Sequence, residues 1–179
     1  MNTFLSRANT IFAFTLSVMA VLTFACFLST GLINLKADTS IKTGRVHVKN
    51  LHDYQAERER SDLGYFVFDL YSDISRLFNW NVKLLFLYLT AEYETADHKF
   101  NQVIIWDKII KRGENALLDY RSMNTKYHFW DLGNGLRGNK NVTLSLSWNV
   151  IPNAGTLPKV VADGKYNFAF PDHYTSFRP

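Results

Sequence analysis

The sequence predicts a mainly β protein in two parts. A single N-terminal transmembrane helix covers residues 11–35, and an antiparallel β-sandwich covers residues 36–179. Three observations predict this. Residues 11–35 carry no charged side chain. Much of the rest alternates apolar and polar residues with a period of two, the mark of half-buried strands. Gly and Asn recur between these segments as turn signals, at the spacing of an all-β domain.

Residues 1–10 are a short polar N-terminus, and the span follows. From Ile11 to Leu28 only Thr15, Ser17 and Thr23 interrupt the apolar run, and those hydroxyls can bond back to the preceding turn. A helix rising 1.5 Å per residue needs about 20 such residues to cross a bilayer. The central Leu, Ile, Phe and Val side chains supply roughly −3 to −6 kcal/mol on an insertion scale. A cleaved signal peptide is the competing reading, with a buried soluble helix behind it. The run is longer than a signal peptide's apolar region, and no A-x-A site closes it. Small residues at Ala13, Ser17, Ala20 and Ala25 would let neighbouring spans approach closely.

Composition bounds the remainder. Roughly 140 residues follow the span, the size of one domain. Aromatic residues make up 15% of the chain, which argues against disorder. The net charge of +4 is spread out with no Lys/Arg block, so nucleic acid is not the expected partner. Cys26 is the single cysteine and lies inside the span, so no intramolecular disulfide forms.

After a polar connector at Leu35–Thr43, Arg45–Lys49 reads as a first strand. The charge-dense Asn50–Leu63 reads as a solvated loop. In Gly64–Ser72, Phe66, Phe68 and Leu70 face one way and Tyr65, Val67, Asp69 and Tyr71 the other. Asp73 is an N-cap-like acid before a short helical turn ending near Phe78. The near-continuous apolar run Val82–Tyr93 suits a strand buried on both faces, and Asn101–Ile110 repeats the theme, with Asp107-Lys108 at a turn or an edge. Asn115–Met123 is ambiguous and compatible with a short helix. Tyr127–Trp130 is a short strand, followed by a glycine-rich hairpin loop. Val142–Val150 is the cleanest alternation: Val142, Leu144, Leu146, Trp148 and Val150 inward, Thr143, Ser145, Ser147 and Asn149 toward water. Pro152 to Pro158 breaks the chain, Tyr166–Phe170 is a last strand, and the tail after Pro171 frays.

No catalytic or metal constellation assembles from these residues. The five histidines lack metal-ligand spacing. Ser61 beside Asp62 and Ser72 beside Asp73 are the hydroxyl candidates for a membrane-anchored hydrolase, but sequence neighbours are not a triad. Gly133-Asn134-Gly135-Leu136-Arg137-Gly138 mimics a dinucleotide fingerprint without its strand–loop–helix setting. No cofactor is implied. Trp80, Trp106, Trp130 and Trp148 are expected mostly in the core, with one or two free to anchor a partner. The one N-x-S/T sequon, Asn141-Val142-Thr143, falls in a turn-rich stretch that must be exposed. Flanking charge, with Lys36, Lys42, Arg45 and Lys49 after the span, points the large domain to the cytosol; the sequon points the other way.

Long colinear strings make the chain resemble a known family. They are Met1–Asn9, Arg58–Gly64, Phe78-Asn79-Trp80-Asn81-Val82-Lys83, Asn101–Ile109, and the block from Gly133 through Asn141-Val142-Thr143 to Trp148-Asn149-Val150 and Pro152-Asn153-Ala154-Gly155. The chain resembles the signal peptidase complex subunit 3 family, the larger single-span accessory subunits of the eukaryotic signal peptidase. The resemblance implies a type II endoplasmic reticulum membrane protein with a cytosolic N-terminus, a luminal domain and a glycan on Asn141. It also implies a non-catalytic role beside a separate subunit that carries the serine nucleophile. The implied partners are the catalytic and other accessory subunits, with the translocon and nascent signal peptides as further contacts. The other reading is a membrane-anchored sandwich that binds a ligand or glycan by itself.

Overall fold

The computed structural model describes residues 3–52 and 60–176. One α-helix, α1 (Phe4–Gly31), precedes eight strands among the described residues: β1 (Thr39–Leu51), β2 (Ser61–Asp73), β3 (Val82–Tyr93), β4 (Asn101–Lys111), β5 (Leu117–Asn124), β6 (Phe129–Asp131), β7 (Val142–Pro152) and β8 (Lys159–Phe168), with the expected short helical turn between β2 and β3 at Ser75–Leu77.

The helix is apolar all round, and none of its residues is buried within the protein. Its hydroxyls bond backward: Thr15 donates to Ile11 O (2.9 Å), Ser17 to Ala13 O (2.9 Å) and Thr23 to Met19 O (2.7 Å). No polar group on them is left unpaired toward lipid. The helix starts before Ile11 and stops before Leu35. Its start is set by the Thr3 cap, whose Oγ1 accepts from Ser6 N, and not by where charge ends.

The strands form two antiparallel four-stranded sheets, one ordered β1-β2-β5 with β6 also on β2, the other β4-β3-β7-β8. Between them lie Phe66, Phe68, Leu70, Leu85, Leu87, Leu89, Leu144, Leu146 and Trp148, all fully buried. Phe66, Phe168, Phe170 and Phe129 stack tilted or edge-to-face near one end. The sheets meet along β1 and β8, where Asp38 bridges Asp163 in parallel and Gly164, at φ 108°, leaves a Cβ position 2.1 Å from Thr39 O. Alternation in β2 falls as the sequence predicts, β3 is buried on both faces only over Leu87–Ala91 while Lys83 is exposed and Leu84, Phe86 and Glu92 are half-buried, and Asp107-Lys108 lies on the edge strand β4.

Several expectations are corrected. The connector before β1 is shorter than expected, because β1 begins at Thr39 and pairs with β2 along nearly its whole length. Of the charge-dense stretch, residues 53–59 lie outside the described residues, but Asp62 is a fully buried member of β2. Leu117–Asn124 is a strand and not a helix, because pairing with β2 overrides its mixed local propensity. The glycine-rich segment is not a hairpin: β6 pairs with β2 while β7 belongs to the opposite sheet, so the segment crosses between layers. Ser145 and Ser147 are buried, not wet. On the outer face of central strand β7 their short side chains sit beside Thr90, Tyr88 and Val161, and Lys159 reaches over the Tyr88 ring. The tail does not fray directly after Pro171, since Thr175 N donates to Val48 O (2.8 Å) and Tyr174 packs on the core.

Candidate functional site

Two clusters of polar groups organise the two ends of the sandwich. The first joins it to the membrane helix. Asn81, buried in the loop before β3, donates from Nδ2 to Thr30 Oγ1 (2.9 Å) in the last turn of α1 and to Ala154 O (2.8 Å). Its Oδ1 accepts from Ala154 N (3.0 Å), and its backbone carbonyl accepts from Asn153 N (2.7 Å). One amide thus ties the helix, the β3 entry and the β7–β8 loop. The loop that presents it is held in turn. Asn79 Oδ1 accepts from Asn81 N (2.9 Å) and Val82 N (3.2 Å), and the Arg112 guanidinium donates to the carbonyls of Val82 and Asn79.

Three further contacts complete the joint. The Trp148 indole N–H donates to Leu35 O (3.1 Å), fixing the connector from inside the core. Lys36 pairs with Asp163 (3.2 Å) at the surface. Gly155, at φ 116°, lies so close to the Phe27 ring that a Cβ there would stand 2.5 Å from Cδ2. Beneath these contacts runs an open groove of about 610 Å³, lined by Phe27, Thr30, Leu35, Val82, Val150 and Pro158 among others.

The second cluster closes the opposite end. Asp62 and Asp131 are register partners on β2 and β6, and both are buried. Asp62 accepts from Asn50 Nδ2 (3.0 Å) and from the N–H groups of Leu136 and Arg137 (3.3 Å each). Asp131 accepts from Tyr93 OH (2.8 Å) and Gly135 N (2.6 Å). The backbone donors of the fingerprint-like loop are therefore spent on the protein's own carboxylates, which leaves no cradle for a phosphate. Burial first, and the Asp131 bond second, push the Tyr93 phenol well above its ordinary range; burial and Asp62 raise Tyr174 in the same sense.

The sequence-predicted residues fall as follows. Ser61 is fully buried with no hydrogen-bond partner for its Oγ among the described residues. Ser72 is fully buried and donates to Asp38 O (2.8 Å) while accepting from Thr39 Oγ1 (3.2 Å). Neither hydroxyl faces a base or a cleft, so the structure does not assemble the hydrolase site. Asn141 is exposed just before β7, at the end away from α1, with Thr143 half-buried on the outer face. Ala13, Ser17 and Ala20 share one face of α1 at helical spacing, while Ala25 is rotated off it. Trp148 and Trp106 are core, Trp130 is half-buried, and Trp80 is exposed. The joint residues Thr30, Asn81 and Gly155 were not singled out by chemistry, although Asn81 and Gly155 lie within the strings that carry the resemblance.

Comparison with known proteins accords with that resemblance. A family model described as signal peptidase subunit matches residues 1–173. The chain is 58% identical over 176 residues to "Signal peptidase complex subunit 3" of Drosophila melanogaster, covering 98% of both chains. It is 54% identical over 174 residues to the Homo sapiens protein of the same name, covering 97% of each. It is 50% identical over 174 residues to "Adipocyte-related X-chromosome expressed sequence 1" of Mus musculus.

Proposed function

We infer that this chain, which belongs to the signal peptidase subunit family, is a non-catalytic accessory subunit of a signal peptidase complex. The observation that carries this is the 58% identity to a named complex subunit along 98% of both chains. It assembles with other subunits of that complex.

The finer reading is a type II protein of the endoplasmic reticulum membrane with the sandwich in the lumen and a glycan on Asn141. The sandwich holds the catalytic subunit, a serine endopeptidase, at the height where a signal peptide emerges. Support comes from the joint: a helix of about 20 membrane-crossing residues and its connector are coupled to the folded domain by part-buried hydrogen bonds to Asn81 and Trp148 and not by a free linker. The face bearing Ala13, Ser17 and Ala20 would pack on neighbouring spans, with Ala25 on a second line of approach. The translocon and nascent signal peptides are expected neighbours.

The test is depletion of the chain in cells with a signal-cleavage readout, rescued by the wild-type sequence, and mass spectrometry of what co-purifies. Accumulation of uncleaved preprotein, reversed on rescue, with the catalytic subunit in the eluate, is expected. Normal cleavage after complete depletion would overturn the reading.

A further inference from the structure

We propose that the base of the sandwich is a membrane-interface foot, in which Trp80 and Leu157, with Leu32 and Ile33, lie in the lipid headgroup region around the exit of α1. These four side chains come from three separate chain segments and are 59%, 66%, 97% and 41% exposed respectively. Single exposed apolar residues are ordinary. Four carried by segments that meet at one helix end call for a shared explanation.

Their convergence follows from the joint. Trp80 is flanked by Asn79 and Asn81, and Asn81 is bonded to Thr30. Leu157 stands between Thr156 and Pro158, which line the same groove as Phe27 and Thr30. Leu32 and Ile33 follow α1 directly.

Depth identifies the occupant as lipid. Counted from Ile11, about 20 residues at 1.5 Å each fill the roughly 30 Å hydrocarbon core, which then ends near Thr30. Thr30, to which Asn81 is bonded, thus marks the hydrocarbon boundary, and Trp80 is the chain neighbour of Asn81. Trp is the side chain favoured at that depth, with an apolar body and a polar N–H. The loop beneath it is immobilised by Asn79 and Arg112, so the exposed indole is displayed on a fixed scaffold. Lys83, exposed at the start of β3 on this side, can extend toward lipid phosphates along its apolar stem. Together the joint and the foot hold the sandwich at more than one point, which prevents swivelling about the helix axis. This inference rests on the membrane span and not on the identity of the complex.

The test uses the full chain carrying Cys26→Ser, reconstituted in phosphatidylcholine vesicles. Nitroxide labels are placed by Trp80→Cys, by Leu157→Cys and, as a control at the far end, by Lys140→Cys. Collision with oxygen, which concentrates in lipid, is compared with collision with an aqueous nickel chelate. The oxygen-to-chelate ratio should be several-fold higher at positions 80 and 157 than at 140. Equal ratios at all three positions would overturn the proposal. So would loss of oxygen access at 80 and 157 in the reconstituted complex, because a protein partner would then occupy the foot. Signal cleavage is not part of the readout, so failure here is distinct from failure of the accessory role.

Discussion

Replacing Asn81 by Ala should uncouple the sandwich from its helix, and the structure sets the size of the effect. The amide is 3% exposed and makes three side-chain hydrogen bonds, two to Ala154 and one to Thr30. Each contributes about 1 kcal/mol net, and stranding the Ala154 N–H and C=O adds a further penalty, giving about 3–4 kcal/mol in all. At about 2–4 °C per kcal/mol for a domain of this size, the Tm should fall by about 10 °C. The full chain in detergent micelles, followed by near-UV circular dichroism, reads this directly. Thr30→Val separates the two functions of the amide. Of the amide's three bonds it deletes only the link to the helix, together with the hydroxyl's own bonds back to Cys26 O and Phe27 O; it should cost about 1–2 kcal/mol and should still impair signal cleavage when it replaces the wild-type chain in cells. An Asn81→Ala variant that melts within about 2 °C of wild type would refute the assignment of the joint to this side chain.

Tyr93→Phe should cost about 1–3 kcal/mol at neutral pH, because the buried phenol donates to the Asp131 side chain and its loss leaves a buried acceptor one bond short. Since the Tyr93 pKa is raised on folding, its contribution is complete below the unfolded value of about 10 and is lost as pH rises above it; denaturant titrations of the two proteins should converge on the alkaline side. Gly164→Ala should destabilise by more than about 3 kcal/mol, because it adds a Cβ against the Thr39 carbonyl at a left-handed φ, and expression of folded protein should drop sharply. Asn141→Gln should abolish any glycosidase-sensitive mobility shift while leaving the Tm within about 1 °C, because the side chain is exposed. Replacing Ala13 and Ala20 together by Leu should reduce co-purification with the catalytic subunit without changing the circular dichroism spectrum.

The features legible in the sequence are those a period can encode. Phe66, Phe68 and Leu70 announce β2, and Val142 to Val150 announces β7, because one pleated face must be apolar whatever the neighbours are. What escaped depends on partners distant in sequence. Asp62 sits among mixed charges and reads as solvated, yet its donors are the N–H groups of Leu136 and Arg137, which no local pattern exposes. Asn115 bonds Leu117 N (3.0 Å) like a cap, and Leu, Asp, Arg and Met follow. Only the available edge of β2 decides for strand. The glycine-rich segment mimics a hairpin because strands flank it, but whether two strands pair with each other is a property of the sheets. Asn81 is the clearest omission. An Asn beside an exposed Trp reads as a turn, and its function appears only when Thr30 and Ala154 converge on it.

The placement of the joint has a mechanical consequence. Asn81 immediately precedes β3, Trp148 lies on β7, and Ala154 follows it, so of the two longest-paired strands of the second sheet β3 starts and β7 ends at the helix contact. At about 3.3 Å per residue, β7 carries that contact some 35 Å to the end bearing Asn141. Over such a lever, a tilt of about 2° at the base moves the far end by about 1 Å, an error that can cost on the order of 10²-fold in a positioned reaction. A single hydrogen bond to Thr30 is a weak guard against a tilt of that size. The added Trp148–Leu35 bond, the Gly155–Phe27 contact and the interfacial Trp80 and Leu157 each oppose rotation about a different line. On the proposed reading, in which the chain supports a catalytic neighbour by position, these contacts at the base of the sandwich, more than its core, set how well it does so.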